Sequence, residues 1–376
     1  MNKLVGLALL ATACVVTVAL AGSSFAAFKA PRTAKPASNK SFNTYSPSLI
    51  VEQSSYKVGA PFTADLFVAA NNTDDPSASV KIFVPAGYGV SLSKPLGTKI
   101  GSVAALAQIG ALANSTLPLT GDIVIGDPTN SDIMKASGAC TGSPTSQGVL
   151  ILNLALKGQP PTAFPVFVNK TGPFLTFQIC VPYPEVSSAN PSGVRILLLD
   201  AAIKGVFTNP AASNPSEWAA LFTPYDPTTK TPVLTSTIES RTFVPLGAKL
   251  TLAKVKAKRG FKLAGKLTLP GIDLGQSSVH LDLFAGKKQG PAPTATSSGT
   301  GKRVGRTAKL PRAGTYSVTR RSVKVTTYFQ TRFQNYTTSC DPPSPIGSPF
   351  PCKGEYIAAV TSNQVKVLKP KPKKHK

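Results

Sequence analysis

Seven residues from Gly260 to Lys266 spell GFKLAGK, which matches the first seven positions of a phosphate-binding loop. Such a loop cradles phosphate on backbone N–H groups and needs a Ser or Thr at position eight to hold magnesium. Position eight here is Leu267. Phe261, Leu263, Gly265, Leu267 and Leu269 alternate with polar or small residues, which predicts a half-buried strand. Pro270-Gly271 then ends the run where a helix would have to open. Nucleotide chemistry is not expected. Histidine-assisted nucleophilic catalysis needs an imidazole beside a Ser or Cys. His280 alternates with Val279 and Leu281 on what reads as an exposed strand face, and His375 lies in a basic tail. No GxSxG nucleophile elbow occurs.

Paired carboxylates would suffice for glycoside cleavage. Asp65, Asp122, Asp127, Asp132, Glu185, Asp200, Glu217 and Glu239 are spread among predicted strands and turns, and their spacing singles out no pair. Asp127, Asn130 and Asp132 put three oxygen side chains close together, as a calcium loop does, but the EF-type spacing and closing Glu are missing. A solvated turn is the expectation. Zinc fails on ligand spacing, with no CxxC and no nearby His pair. No catalytic residue, metal ligand or cofactor site is assigned.

The cysteines point to oxidation instead. Of five, Cys14 falls in the N-terminal signal, and Cys140, Cys180, Cys340 and Cys352 remain. An even set in an exported chain supports disulfides, with three pairings possible. The local one, Cys140 with Cys180 and Cys340 with Cys352, is simplest. The first of these would tie the two halves of the N-terminal body into one large domain.

Charge is the other strong feature. The whole chain carries a formal +25. Residues 41–244 hold 11 Lys+Arg against 12 Asp+Glu, a net of about −1, while residues 245–376 hold 25 against 4, a net of about +21. The seam is the stretch 241–269. Lys254, Lys256, Lys258, Arg259, Lys262, Lys266, Arg320, Arg321, Lys371, Lys373 and Lys374 are the candidate polyanion-binding residues. Such a field attracts anionic polymers and weakens as salt screens it. Anionic cell-envelope polymers or surface glycans are the expected partners; export argues against nucleic acid. The competing reading is charge that serves only solubility.

Residues 1–27 read as a secretory signal, with Lys3 before an apolar run and Ser24-Phe25-Ala26 as a cleavage site. No later apolar run is long enough to span a membrane. The protein is therefore expected outside the cell, in solution or at the envelope. Residues 28–44 form a flexible leader of Ala, Pro and Lys. Strand signals follow at 49–51, 62–69, 80–84, 121–125, 149–156, 164–168, 174–181, 194–207, 217–223 and 235–244, with Pro and other turn formers between them. Two stretches resist. Residues 103–113 are Ala- and Leu-rich enough for a short helix, and Asn214-Pro215-Ser216-Glu217 resembles a helix start. A strand through Trp218, Ala220 and Phe222 is favoured for the second.

Beyond the seam, Gly265-Lys-Leu-Thr-Leu, Val279-His-Leu-Asp-Leu, Gly314-Thr-Tyr-Ser-Val and Thr326-Thr-Tyr-Phe-Gln-Thr-Arg occur in order. This part resembles the bacterial immunoglobulin-like modules of exported envelope proteins, and the wider carboxypeptidase-regulatory and transthyretin-like sandwiches. With TDDPSASVKIFVPAGY at 73–88 and GVFTNP at 205–210, the whole chain is similar to an exported actinobacterial two-domain β-sandwich family. The resemblance implies no catalytic residues. The expectation is an all-β protein: a large antiparallel β-sandwich-like domain at 45–244, a smaller basic immunoglobulin-like sandwich at 245–368, and a basic tail at 369–376. A non-catalytic structural or adhesive role leads. Glycan or polymer binding through the body, and then a carboxylate-dependent glycoside hydrolase, are the alternatives.

Overall fold

The structure is a computed structural model. It describes residues 35–36, 47–70, 73–112, 114–186, 193–212, 216–258, 260–274, 279–294, 299, 301–334, 336–338, 340 and 343–369. The signal at 1–27, most of the leader, Arg259, and Lys371, Lys373 and Lys374 of the tail lie outside them.

The chain is all-β, as the turn-punctuated strand signals predict. Its first half contains β1 (Lys35–Pro36), β2 (Ser48–Gln53), β3 (Pro61–Ala69), β4 (Ser77–Val84), β5 (Gly89–Val90), β6 (Lys99–Ile109) and β7 (Ser115–Gly126). After α1 (Ser131–Thr141) come β8 (Gly148–Ala155), β9 (Thr162–Thr171), β10 (Phe174–Cys180), β11 (Val194–Thr208), β12 (Ser216–Pro224) and β13 (Ile238–Val244). Then follow β14 (Lys249–Leu250), β15 (Ala253–Lys256), β16 (Phe261–Thr268), β17 (Leu281–Gly286), β18 (Lys302–Arg306), β19 (Thr315–Arg320) and β20 (Thr327–Phe333). The last are β21 (Tyr336–Thr338), β22 (Cys352–Ile357), β23 (Val360–Thr361) and β24 (Val365–Val367).

The main sheet runs β1-β21-β22-β13-β12-β4-β10-β9-β8-β7-β6-β11-β3-β2. It curls until β2 lies against β13, and side chains close the gap. Leu49 N–H donates to Ser240 Oγ at 3.0 Å, Val51 N–H donates to Thr242 Oγ1 at 3.2 Å, and Thr242 Oγ1 donates to Leu49 O at 2.9 Å. Hydroxyls thus satisfy edge groups that a continuous ladder would otherwise pair. Inside, Trp218 is fully buried and meets Tyr88 and Phe207 edge-on at 5.3 and 5.8 Å.

Where described, both ambiguous stretches run mainly as strand, β6 to Ile109 with a 3-10 turn at Gly110–Leu112 after it, and β12 from Ser216. Along β6, Val103, Ala105, Ala107 and Ile109 are buried while Ala104 and Leu106 are exposed. That period of two belongs to a pleated surface, and tertiary burial overrides the helical propensity of Ala and Leu. On β12, Trp218, Ala220 and Phe222 face the core, as favoured. Among the described residues, the one α-helix falls where the sequence reading expected a turn. Asn130 Oδ1 accepts the N–H groups of Asp132 and Ile133, and Gly142 ends the helix at φ 78°. Cap, first-turn acid and C-terminal glycine were all legible.

Beyond residue 244, β14 and β15 flank β16 on one side and β19 on the other, while β18-β17-β20 continues to β23 and β24. The two small sheets meet through Phe261 and Phe329, 5.8 Å between centroids, and through Tyr316 and Thr331 hydroxyls 2.7 Å apart. Sheet pairing also crosses the seam. β22 returns to lie parallel to β13, β21 pairs with β22, and one apolar cluster holds residues from both parts, among them Trp218, Phe243, Leu263 and Ile357.

Both disulfides form with the local pairing. Cys140 and Cys180 are 5.7 Å apart at Cα, which ties the end of α1 to β10, and Cys340 and Cys352 are 6.1 Å apart. Chain-entropy reasoning makes the 40-residue separation worth about 4 kcal/mol and the 12-residue one about 3 kcal/mol. Cys140→Ser/Cys180→Ser should therefore lower the urea midpoint more than Cys340→Ser/Cys352→Ser. The reverse ranking would mean that local packing outweighs loop length.

Candidate functional site

Folding converges carboxylates that spacing could not pair. On the outer face of β12 and β13, Arg241 donates from Nε to Glu239 Oε1 at 2.6 Å, and its Nη1 lies 3.7 Å from Glu217. Glu355 of β22 stands opposite Arg241 in the parallel register. Glu239 and Glu355 are both 0% exposed. The Cys340–Cys352 excursion covers this face, and its Ser344 lies 3.0 Å from Glu239 Oε1. Carboxylates sealed under a loop and neutralised by a guanidinium are a structural ion cluster, closed to a sugar chain.

The second group is Glu52, Asp65 and Asp200, on adjacent strands β2, β3 and β11. Arg332 of β20 reaches across to Glu52, 2.5 Å from Nη2 to Oε1, and also bonds Pro293 O, Gln334 and Thr361. Burial pushes the Asp65 carboxyl up to about 7, aided by the charge and hydrogen bond of Asp200 and by the charge of Glu52, with Arg332 opposing. Burial also raises the Tyr56 hydroxyl, with Glu52 adding to it. That hydroxyl donates to Ala359 O at 2.6 Å, so this face joins the body to the chain beyond the seam. Glu52, Arg332 and Glu355 were missed because they come from the sheet closure and from the returning C-terminal strands.

The remaining candidates resolve simply. Gly260 has φ 87°, and a Cβ there would lie 2.1 Å from Arg320 O, so it is a tight turn into β16 rather than a phosphate cradle. His280 is half-buried, with Nδ1 2.9 Å from Thr307 O. Asp127 folds back on Thr129, and Asn130 spends its oxygen capping α1. Among the described residues, no three His, Cys, Asp or Glu side chains are grouped as metal ligands.

The basic residues divide by strand register. Lys254 and Lys256 of edge strand β15 stand opposite Leu263 and Phe261, on the side facing the second small sheet, yet both are exposed. Lys254 Nζ sits 5.9 Å from the Phe261 ring. Lys262 and Lys266 point to the opposite face of β16. Arg320 shares the Phe261 row and donates to Val304 O at 3.0 Å, bridging the two small sheets. Lys258 and Arg321 are exposed in the turns beside them, and Lys302, Arg303 and Arg306 line the other edge strand, β18. Lysine on an edge strand also deters edge-to-edge aggregation.

The carboxylates of this part are placed differently. Asp273, Asp282 and Glu355 are all buried, Asp282 accepting from Arg303 at 2.8 Å and Arg306 at 3.2 Å. Among the described residues beyond 244, every acid is inside and the exposed charge is cationic.

Fold and surface together define an all-β, doubly disulfide-bonded protein with a near-neutral body and a cationic small sandwich. No protein-family model matches this chain, and no curated protein matches it. Among solved structures, the C-terminal domain of the Streptococcus pyogenes antigen I/II-family protein AspA aligns with 85% of this chain and 99% of its own. Identity is 11% and the TM-score 0.21, a likeness too slight to carry an argument. Among the described residues, no helix is long and apolar enough to cross a membrane.

Proposed function

We propose that this is a non-catalytic extracellular protein of structural or adhesive type, whose C-terminal sandwich associates with anionic polymers of the cell envelope. One observation carries the reading: beyond residue 244, the described carboxylates are buried while Lys254, Lys256, Lys258, Lys266, Lys302 and Arg321 are exposed. A surface from which one sign of charge has been withdrawn projects a longer-ranged field than a mixed one. The two disulfides suit an oxidising compartment.

Co-sedimentation of the full chain with cell-envelope fractions tests this. The screening length falls from about 10 Å at 0.1 M salt to about 3 Å at 1 M, so binding should be strong at low salt and lost at high salt. Replacing Lys254, Lys256, Lys258 and Lys302 by Gln should lower the bound fraction severalfold at 0.1 M. Retention that persists through 1 M salt, or ignores the four substitutions, would assign attachment to the neutral body instead.

A further inference from the structure

The outer face of the body carries an open polar groove of about 450 Å³, remote in kind from the cationic sandwich. Its floor is three adjacent strands. Lys81 on β4 stands opposite Gln178 on β10, and Thr176 on β10 stands opposite Asn169 on β9. The wall is the segment after α1, with Ser143, Thr145 and Ser146. Thr171, on the same face of β9 as Asn169, closes the end. Apart from Lys170, which borders the groove but by register points to the other face of the sheet, each lining residue carries a hydroxyl, an amide or, at Lys81, an ammonium; no carboxylate contributes.

Four contacts hold the groove in shape before any ligand arrives. The Cys140–Cys180 bridge pins the wall to the floor. Gln178 Nε2 donates to Cys140 O at 3.0 Å, and Gln147 N–H donates to Asn169 Oδ1 at 3.3 Å. Ser137 and Ser146 hydroxyls lie 2.8 Å apart, holding the loop against the helix. Each amide thereby spends one polar atom on the scaffold, and Gln178 Oε1 and Asn169 Nδ2 are left to engage a ligand. Lys81 is half-buried, its Nζ 5.4 Å from the Phe83 ring centroid, and burial lowers its ammonium pKa. A partly desolvated lysine among fixed amides gains more from an anion than a fully hydrated one does.

We propose that this groove binds an anionic oligosaccharide, its amides and hydroxyls engaging sugar hydroxyls while Lys81 pairs with a ring carboxylate. A neutral sugar would leave Lys81 unpaired. A bare anion would leave the hydroxyl wall unused. This site does not rest on the cationic sandwich, and the test separates the two by salt.

The probe is an oligogalacturonate, titrated calorimetrically into the full-length protein at 0.5 M salt, where long-range attraction to the sandwich is screened. Its methyl-esterified form, the same sugars without charge, is the comparison. Binding at 0.5 M should weaken tenfold or more in Lys81→Gln and be tenfold weaker for the ester. Lys170 is exposed and points to the other face of the sheet, so Lys170→Gln is a control that should leave binding unchanged. Gln in place of Lys254, Lys256, Lys258 and Lys302 should leave this binding unchanged. Absence of binding at 0.5 M salt, or binding that ignores Lys81→Gln or fails to prefer the acid over its ester, overturns the proposal.

Discussion

Arg241→Met should cost about 3–5 kcal/mol of folding stability, because it strips the guanidinium from a buried cluster and leaves its carboxylates uncompensated. Glu239 has no exposure and bonds Arg241 at 2.6 Å, while Glu217 lies 3.7 Å from the same guanidinium. The cost is in the orphaned charge more than in the lost bond. A second substitution, Glu239→Gln, made in the Arg241→Met background should therefore return part of the loss. Urea unfolding followed by circular dichroism measures both. A drop below about 1 kcal/mol for Arg241→Met would mean that water reaches the cluster and the Cys340–Cys352 excursion does not seal it.

Arg332→Met should be comparably damaging, about 3–5 kcal/mol on the same grounds, and its cost should grow with pH. Arg332 is buried and serves Glu52, Pro293, Gln334 and Thr361 at once. The pH dependence comes from Asp65. Its folded-state pKa, about 7, lies above the ordinary 3.8, so its proton is held more tightly in the folded protein. The resulting stability is fully present below pH 3.8 and is lost as pH rises through 7. At 1.36 kcal/mol per unit the shift sets an upper bound near 4 kcal/mol, and partial solvent access reduces it to about 2 kcal/mol. Asp65→Asn should flatten the stability profile between pH 4 and 7 and leave the variant more stable than the parent at pH 8. Arg332→Met should extend the falling limb to higher pH, since Arg332 is the cation that opposes the rise. If Asp65→Asn leaves the slope unchanged, the pH dependence belongs to another group.

Much of this protein was determined locally, where the physics is local. Alternation of apolar and polar residues decides which face of a strand is buried, so the all-β class and the strand through Trp218 were legible in the sequence. So was the failure of Gly260–Lys266 as a phosphate loop, since Leu267 cannot ligate magnesium and the run continues as β16. Disulfide pairing followed sequence proximity. The asymmetry of charge is compositional and needs no fold. The helix at Ser131–Thr141 was also encoded locally, in Asn130, Asp132 and Gly142, but its weak amphipathicity hid it among turn residues.

Only the tertiary structure decided which groups meet across long separations. Glu52 meets Arg332, 280 residues away, only because folding brings the side chain of a β20 residue to β2. Glu355 reaches Arg241 because β22 returns parallel to β13, a pairing to which no turn or spacing points. The basic residues were countable from composition, yet register alone sent Lys254 and Lys256 to one side and Lys262 and Lys266 to the other. The same is true of the groove, whose Lys81, Gln178 and Asn169 become neighbours only when β4, β10 and β9 align. Sequence specifies the face each side chain takes on its own strand; which strands become neighbours is settled by closing the sheet around one core.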